Sequence, residues 1–174
     1  MGVQSSFGFT LGRMEKGRLN KITDVPGVRV GHVTRHEGGI NTGVTAILPH
    51  TGDMFHDKCP AASHVINGFG KSIGLVQVNE LGTIETPLLL TNTLSVGTAA
   101  TALVKYMLER NEDIGRDTGT VNPMVFECND GHLNDIRGLH VTEQNALDAL
   151  ANAADDFEEG AVGAGSGMSC YSLK

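Results

Sequence analysis

A chain of 174 residues with 40% hydrophobic and 19% charged residues has the length and balance of one globular domain, which excludes disordered and fibrous classes. Its net charge of −7 leaves no basic face for phosphates and argues against a nucleic-acid partner. The apolar runs are far too short to span a bilayer, and Met1 to Thr10 lacks the basic and apolar regions of a signal peptide, so no membrane partner is expected. Cys59, Cys128 and Cys170 show no CxxC spacing, and thiols in a reducing cytoplasm are their expected state. A glycine count of 23 predicts many tight turns and close backbone approaches.

The elements follow in chain order. Asp24-Val25-Pro26-Gly27 is a turn signal. Val28 to Val33 alternates as a strand, and Val44 to Leu48 reads as its partner, with His36 to Gly43 as a glycine-bearing loop between them. Thr51 to Pro60 is polar and irregular, and Val65 to Gly70 and Ile73 to Val78 read as short buried segments. Pro87 to Leu90 is a strand that ends at Thr91-Asn92-Thr93. Val96, Ala100, Leu103, Val104 and Met107 recur at helical spacing, with Ser95 placed to cap the helix. Thr118 to Pro123 is a loop, and Met124 to Cys128 a strand. Thr142 can cap a second helix carrying Ala146, Leu147, Leu150 and Ala154, which the acids of Asp155 to Glu159 fray. Gly160 to Gly167 is a turn and Met168 to Leu173 a final strand, directly after which the chain stops, so a continuation elsewhere is expected. Strands and helices alternate without a regular βαβ rhythm, which suggests sheets with helices layered outside.

The densest polar cluster is Glu127-Cys128-Asn129-Asp130-Gly131 with Leu133-Asn134-Asp135, straight after the apolar run Met124-Val125-Phe126. Carboxylates and amides at the end of a buried strand suit the edge of a cleft. Glu127 can bind a substrate ammonium, and Asn129 or Asn134 can offer an amide to a developing oxyanion. The same residues also suit a plain Asn-Asp-Gly turn. A second polar stretch, Leu90 to Gly97, leads a strand into a helix through Asn92, Thr93 and Ser95; it fits either a ligand edge or ordinary capping. The seven histidines form no metal-ligand pair, so no metal site is expected. His32 reads as a packed or surface residue. In Gly163-Ala164-Gly165-Ser166-Gly167 the glycines flank Ser166 too closely for a nucleophile elbow, and the run lacks the Lys of a phosphate loop. Neighbouring Glu127 and Asp130 raise the Cys128 pKa and suppress its thiolate.

From Ile22-Thr23-Asp24-Val25-Pro26-Gly27-Val28-Arg29-Val30-Gly31-His32 onward the chain resembles the L-aminopeptidase/D-esterase (β-peptidyl aminopeptidase, peptidase S58-type) family. The resemblance continues, in the family's order, at Thr42-Gly43-Val44-Thr45, Asn67-Gly68-Phe69-Gly70 and Gly82-Thr83-Ile84-Glu85-Thr86-Pro87. It recurs at Leu90-Thr91-Asn92-Thr93 with Ser95-Val96-Gly97, at Glu127 with Asn129-Asp130-Gly131, at Leu133-Asn134-Asp135, and in the final glycine run. It implies an α/β fold, a four-layer α-β-β-α sandwich resembling N-terminal-nucleophile hydrolases with its own connectivity. Residues 1–174 would be one domain, most of the large subunit of a self-cleaving precursor.

The resemblance also implies partners and chemistry. A small C-terminal subunit from the same precursor would supply an N-terminal Ser or Thr nucleophile, absent from this chain. Subunit pairs would assemble into a homo-oligomer acting on small peptides, amides or esters next to a free amino terminus, without a cofactor. Chemistry then assigns Glu127 to the substrate amine and Asn134 and Asn92 to the pocket wall, with Asn129 and Asp130 beside them. Relatives carry a tyrosine in the stretch matching Asn129 to His132; this sequence has none, and His132 is the donor available in its place. An ornithine acetyltransferase-like acyl transferase and a non-catalytic amine-binding relative are the alternative readings.

Overall fold

The computed structural model describes residues 12–170. In chain order they form β1 (Arg29–Glu37), β2 (Ile40–Leu48), β3 (Cys59–Pro60), β4 (Ser72–Ile73), α1 (Leu75–Leu81), β5 (Thr83–Ile84), β6 (Leu88–Thr91), α2 (Val96–Leu108), β7 (Met124–Glu127) and α3 (Glu143–Ala151). The main sheet has the order β1-β2-β6-β7-β4, and β3 pairs with β5 in a separate ribbon. All of the main-sheet pairings are antiparallel except β6 with β7. The helix α2 connects that parallel pair, so β6-α2-β7 is a single βαβ unit.

The first hairpin is tighter than the expected loop. Strand pairing continues to Glu37 opposite Ile40, leaving Gly38 and Gly39 as the turn. Both have positive φ, 53° and 89°, the conformation a primed turn demands at both central positions. Two glycines supply it without steric cost, so no longer loop is needed.

One face of the sheet carries the core. Val44, Ala46, Leu89 and Val125 pack against Val96, Ala99 and Leu103 of α2 and against Ala146, Ala149 and Leu150 of α3. Burying a leucine as completely as Leu89 or Leu103 contributes about 1.5–3 kcal/mol. The helices sit close because small residues face the sheet. A β-carbon on Gly31 would lie 2.1 Å from the Ala149 carbonyl oxygen, so α3 rests directly on β1. Alternate residues of the same strands, including Ile47, Leu88, Leu90 and Phe126, point to the opposite face and are only half-buried. Part of that face is covered by Met54, Val78 and Ile84. Another part is covered by the glycine run, whose turn at Gly163–Gly165 donates from Gly163 to Thr34 Oγ1 (2.8 Å) and from Ala164 to Thr45 Oγ1 (3.1 Å). The described residues thus supply one helical layer on one main sheet of a mixed α/β fold; a complete four-layer stack is not among them.

Several local expectations need correction. Val65, Ile66 and Phe69, read as buried, are 57%, 84% and 66% exposed. The following segment is the helix α1, which buries Val78 and leaves Val76 outward, because residues two apart lie on opposite sides of a helix. Ser95 does not cap α2 with its side chain; the Asn92 side chain instead accepts the Ser95 N–H at the start of a 3-10 turn, Thr93–Ser95, that leads into the helix. Thr142 does cap α3, accepting from Asn145 N–H. That helix stops at Ala151, and Ala154 leaves it to pair with Val30 in both directions at 3.1 and 3.0 Å. The acids beyond it find cations instead of fraying the helix: Asp155 meets Arg29 and Asp156 meets Lys21. Of the expected last strand, residues 168–170 are not in a strand, and Tyr171 to Leu173 lie outside the described residues.

Candidate functional site

The parallel pairing of β6 and β7 decides where the polar residues meet. Parallel strands end at the same sheet edge, so Asn92 and the stretch from Cys128 to Asp130 emerge side by side. The Cys128 N–H donates to the Thr91 carbonyl (2.7 Å), carrying the pairing one step past the strands. The Thr91 hydroxyl donates to the Gly43 carbonyl (3.1 Å) and draws the neighbouring Thr42 of β2 into the same edge.

A buried polar cluster results. Asn92 donates from Nδ2 to Thr42 Oγ1 (3.0 Å), while its Oδ1 accepts the Ser95 N–H (3.0 Å). Asn134 Oδ1 accepts the Asn41 N–H (2.9 Å), and Asn41 Nδ2 donates to the Leu133 carbonyl (2.7 Å). Asp130 is 1% exposed, and burial raises its carboxyl pKa; the Thr42 hydroxyl and the Asn134 amide approach it and oppose that shift. Neither Asp130 oxygen has a hydrogen-bond partner of ordinary geometry, and the same holds for Asn134 Nδ2 and the Thr93 and Ser95 hydroxyls. Buried groups of this kind are normally paired, so their concentration at one sheet edge marks the edge as the place to look for a ligand or a further chain segment.

Glu127 ends β7 on another side of this edge. It lines a cleft of about 510 Å³ together with Leu75, Val78, Leu88, Met124 and Phe126. Its Oε2 is buried without a partner, and among the described residues no cation pairs with it. Lys71, also on the cleft, turns its ammonium to the Phe69 carbonyl (2.6 Å) and over the Phe69 ring, 3.7 Å from the centroid. A carboxylate held beside apolar walls with no counter-charge is suited to an incoming ammonium.

The other sequence-selected residues separate from these two groups. Asn129 is exposed, and its Oδ1 accepts the Gly131 N–H (3.0 Å), closing the turn that its sequence suits. His132 is exposed on the same turn. Cys128 is buried with its thiol pKa pushed up to about 11, first by burial and then by Asp130 and Glu127, so it is no thiolate nucleophile. His32 is a packed residue, its ring between Thr45 Oγ1 (2.9 Å) and the Glu158 carbonyl (3.1 Å), and burial lowers its pKa. Within Gly82 to Pro87 the polar residues anchor the start of β7: Glu85 accepts from the Asn122 N–H (2.8 Å) and from Lys58 (2.7 Å), and Thr86 Oγ1 accepts the Met124 N–H (3.2 Å). Thr42 and Asn41 were not selected from sequence. Thr42 lies in a family-like motif, but only the sheet pairing brings it to Asn92.

The fold and site define a mixed α/β chain with one sheet face covered by helices, a strand-end polar cluster and a cleft lined by the Glu127 carboxylate. The chain belongs to peptidase family S58, whose family model matches residues 20–174. It is 38% identical over 168 residues to the β-peptidyl aminopeptidase BapA of Sphingosinicella microcystinivorans, covering 91% of this chain and 41% of that protein. Its fold matches the crystal structure of the PH0078 protein from Pyrococcus horikoshii OT3 with a TM-score of 0.92 and 55% identity, over 95% of this chain and 50% of that one. It also matches the L-aminopeptidase D-Ala-esterase/amidase of Ochrobactrum anthropi, described as a new variant of the Ntn hydrolase fold, with a TM-score of 0.82 and 35% identity over 92% of this chain and 47% of that one. The chain therefore spans about half or less of the proteins it resembles. Among the described residues no helix is long and apolar enough to cross a membrane.

Proposed function

We propose that this chain is most of the large subunit of a self-processing aminopeptidase that cleaves amide or ester bonds next to a free amino terminus. Glu127 holds the substrate ammonium, and the observation that carries this reading is its buried, unpaired Oε2 at the end of the cleft. Asn92, Asn134 and Asp130 form the pocket wall with Thr42. Asn92 has its carbonyl and one amide hydrogen engaged within the protein, so it holds the wall in shape, whereas the Asn134 amide approaches the Asp130 carboxylate. Asn129 and His132 sit on the rim turn. The nucleophile is an N-terminal Ser or Thr of a second subunit from the same precursor, with its own α-amino group as base. Two observations support this. The chain covers under half the length of BapA, and the Thr93 and Ser95 hydroxyls have no base in hydrogen-bond contact. Family membership favours hydrolysis over acyl transfer. A second sheet and helix layer from the partner subunit would cover the half-buried sheet face, completing the four-layer sandwich. Assembly of subunit pairs into a homo-oligomer, and a cytoplasmic location, belong to the same reading.

The test is Glu127→Gln in the full-length protein. The substitution keeps the shape and removes the charge. Because charge-assisted bonds contribute about 1.5–3 kcal/mol, kcat/KM on free-amine substrates should fall roughly ten- to a hundredfold. Activity on N-acylated analogues should hardly change, and self-cleavage, followed by intact mass, should persist. Equal loss on both substrate classes, or no loss on either, refutes the assignment.

A further inference from the structure

A second cavity lies at the other end of β6, where Pro87 leads into the strand. It has a volume of about 300 Å³, at the lower end of the range of small-molecule sites, and opens between the loop after β2 and the C-terminal end of α2. Its apolar surface comes from Leu48, Met54, Pro87, Tyr106 and Met107. Met54 and Met107 are buried in separate core clusters, so packing behind the cavity fixes its wall. Two side chains of opposite charge, Arg110 and Asp53, line the same cavity without forming an ion pair with each other. The Arg110 guanidinium carbon lies 3.5 Å from the Tyr106 ring centroid, and the group donates to the Tyr106 carbonyl (3.2 Å). Among the described residues no carboxylate pairs with it. Asp53 Oδ1 accepts the Phe55 N–H (3.0 Å), while Oδ2 comes only within 3.9 Å of His56, whose nearer partner is Asp113 at 3.3 Å. Asn111 is buried in the wall and donates from Nδ2 to the Met107 carbonyl (3.2 Å); its Oδ1 has no hydrogen-bond partner among the described residues. His50 also lines the cavity, but both ring nitrogens serve its own loop: Nδ1 accepts the Gly52 N–H (3.0 Å) and Nε2 donates to the Asp57 carbonyl (2.9 Å).

We infer that this cavity is a second ligand site, separate from the Glu127 cleft, that takes a free amino acid with an apolar side chain. Arg110 receives the carboxylate, Asp53 and the Asn111 carbonyl receive the ammonium, and the Leu48, Met54 and Met107 surface receives the side chain. Only a zwitterion uses both charges: a simple anion would meet Asp53 and a simple cation would meet Arg110, each with the wrong sign. The stacking of Arg110 on Tyr106 holds the guanidinium at the cavity before a ligand arrives, which lowers the ordering cost of binding. The inference goes beyond the aminopeptidase reading and makes no use of Glu127. Free amino acids are among the products of such a reaction, so the site would fill as product accumulates.

The experiment titrates the full-length protein, labelled with ¹³C at its methionine methyls, with L-leucine and follows the Met54 and Met107 signals by NMR. Both should shift together and saturate with a Kd on the order of 1 mM, as a small ligand held by partly solvated charges allows. The same titration in Glu127→Gln should give the same Kd, which separates this site from any binding of leucine at the cleft. Arg110→Gln and Asp53→Asn should each raise the Kd about three- to tenfold, between the effect of an exposed ion pair and that of a charge-assisted bond in a dry site. Both side chains are exposed and lie on different segments, and Asn at position 53 keeps an acceptor for the Phe55 N–H, so one folding defect does not explain a loss in both. 4-Methylpentanoate, which lacks the ammonium, and 3-methylbutylamine, which lacks the carboxylate, should each bind more weakly than leucine by a similar factor. The inference is overturned if leucine moves neither methionine signal, if Glu127→Gln abolishes the shifts, if neither Arg110→Gln nor Asp53→Asn changes the Kd, or if either single-charge analogue binds as well as leucine.

Discussion

Gly31→Ala tests the close approach of α3 to the sheet. The added methyl would sit 2.1 Å from the Ala149 carbonyl oxygen, 2.6 Å from the Ala153 nitrogen and 2.8 Å from the Asn152 carbonyl carbon. All three are backbone atoms, so no side chain can swing away. Ordinary contact requires α3 to retreat by more than an ångström. A gap of that size forfeits a quarter to a half of the dispersion energy at each affected contact, and here those contacts include Ala146, Ala149 and Leu150 against Val44 and Ala46. Together with the strain of overpacking, the expected loss is about 2–4 kcal/mol. The same exchange at Gly97, on α2, meets no heavy atom within 4 Å. Gly97→Ala should therefore stabilise by about 0.5–1 kcal/mol, through the helix preference of alanine. Urea denaturation of the full-length protein measures both, and hydrogen exchange of the α3 amides localises the first effect. A Gly31→Ala protein within about 0.5 kcal/mol of wild type, with unchanged α3 protection, would refute the packing argument.

Other outcomes follow from the polar edge. Burial holds the Asp130 carboxyl above its ordinary value of 3.8, so the folded chain keeps a proton that the unfolded chain releases. The stability from this group is full below that ordinary value and is lost as pH rises through the raised folded pKa. Asp130→Asn should be more stable than wild type at neutral pH by on the order of 1 kcal/mol, with the gain vanishing toward pH 4; loss at every pH would show that a partner holds the ionised form. Cys128, with its thiol held near pKa 11 and buried, should resist alkylation at pH 8 until urea unfolds the chain. Mass spectrometry of the labelled peptide checks it, and labelling of Cys128 in the native protein would contradict its burial.

The local pattern of residues determined much of this protein. Alternation in Val28 to Val33 and the helical spacing from Val96 to Met107 marked elements whose side-chain periods are set by backbone geometry, and both appear where the pattern put them. The Gly38-Gly39 turn follows equally local rules, although the strands beside it run longer than their alternation suggested. The order of the short motifs was enough to mark the family, because motif order survives along the chain without knowledge of contacts. The polar stretch after Met124-Val125-Phe126 was visible as a strand end, and Glu127 does finish β7. What local pattern could not show was which polar residues meet. Asn92 joins Thr42 because β6 lies between β2 and β7, and Asp130 is buried while adjacent Asn129 is exposed. The segment from Val65 to Gly70 looked like core, yet Val65, Ile66 and Phe69 are exposed, the first two on the Glu127 cleft. Burial, strand order and the approach of α3 to Gly31 are properties of distant segments brought together, and hydrophobicity along one segment does not encode them.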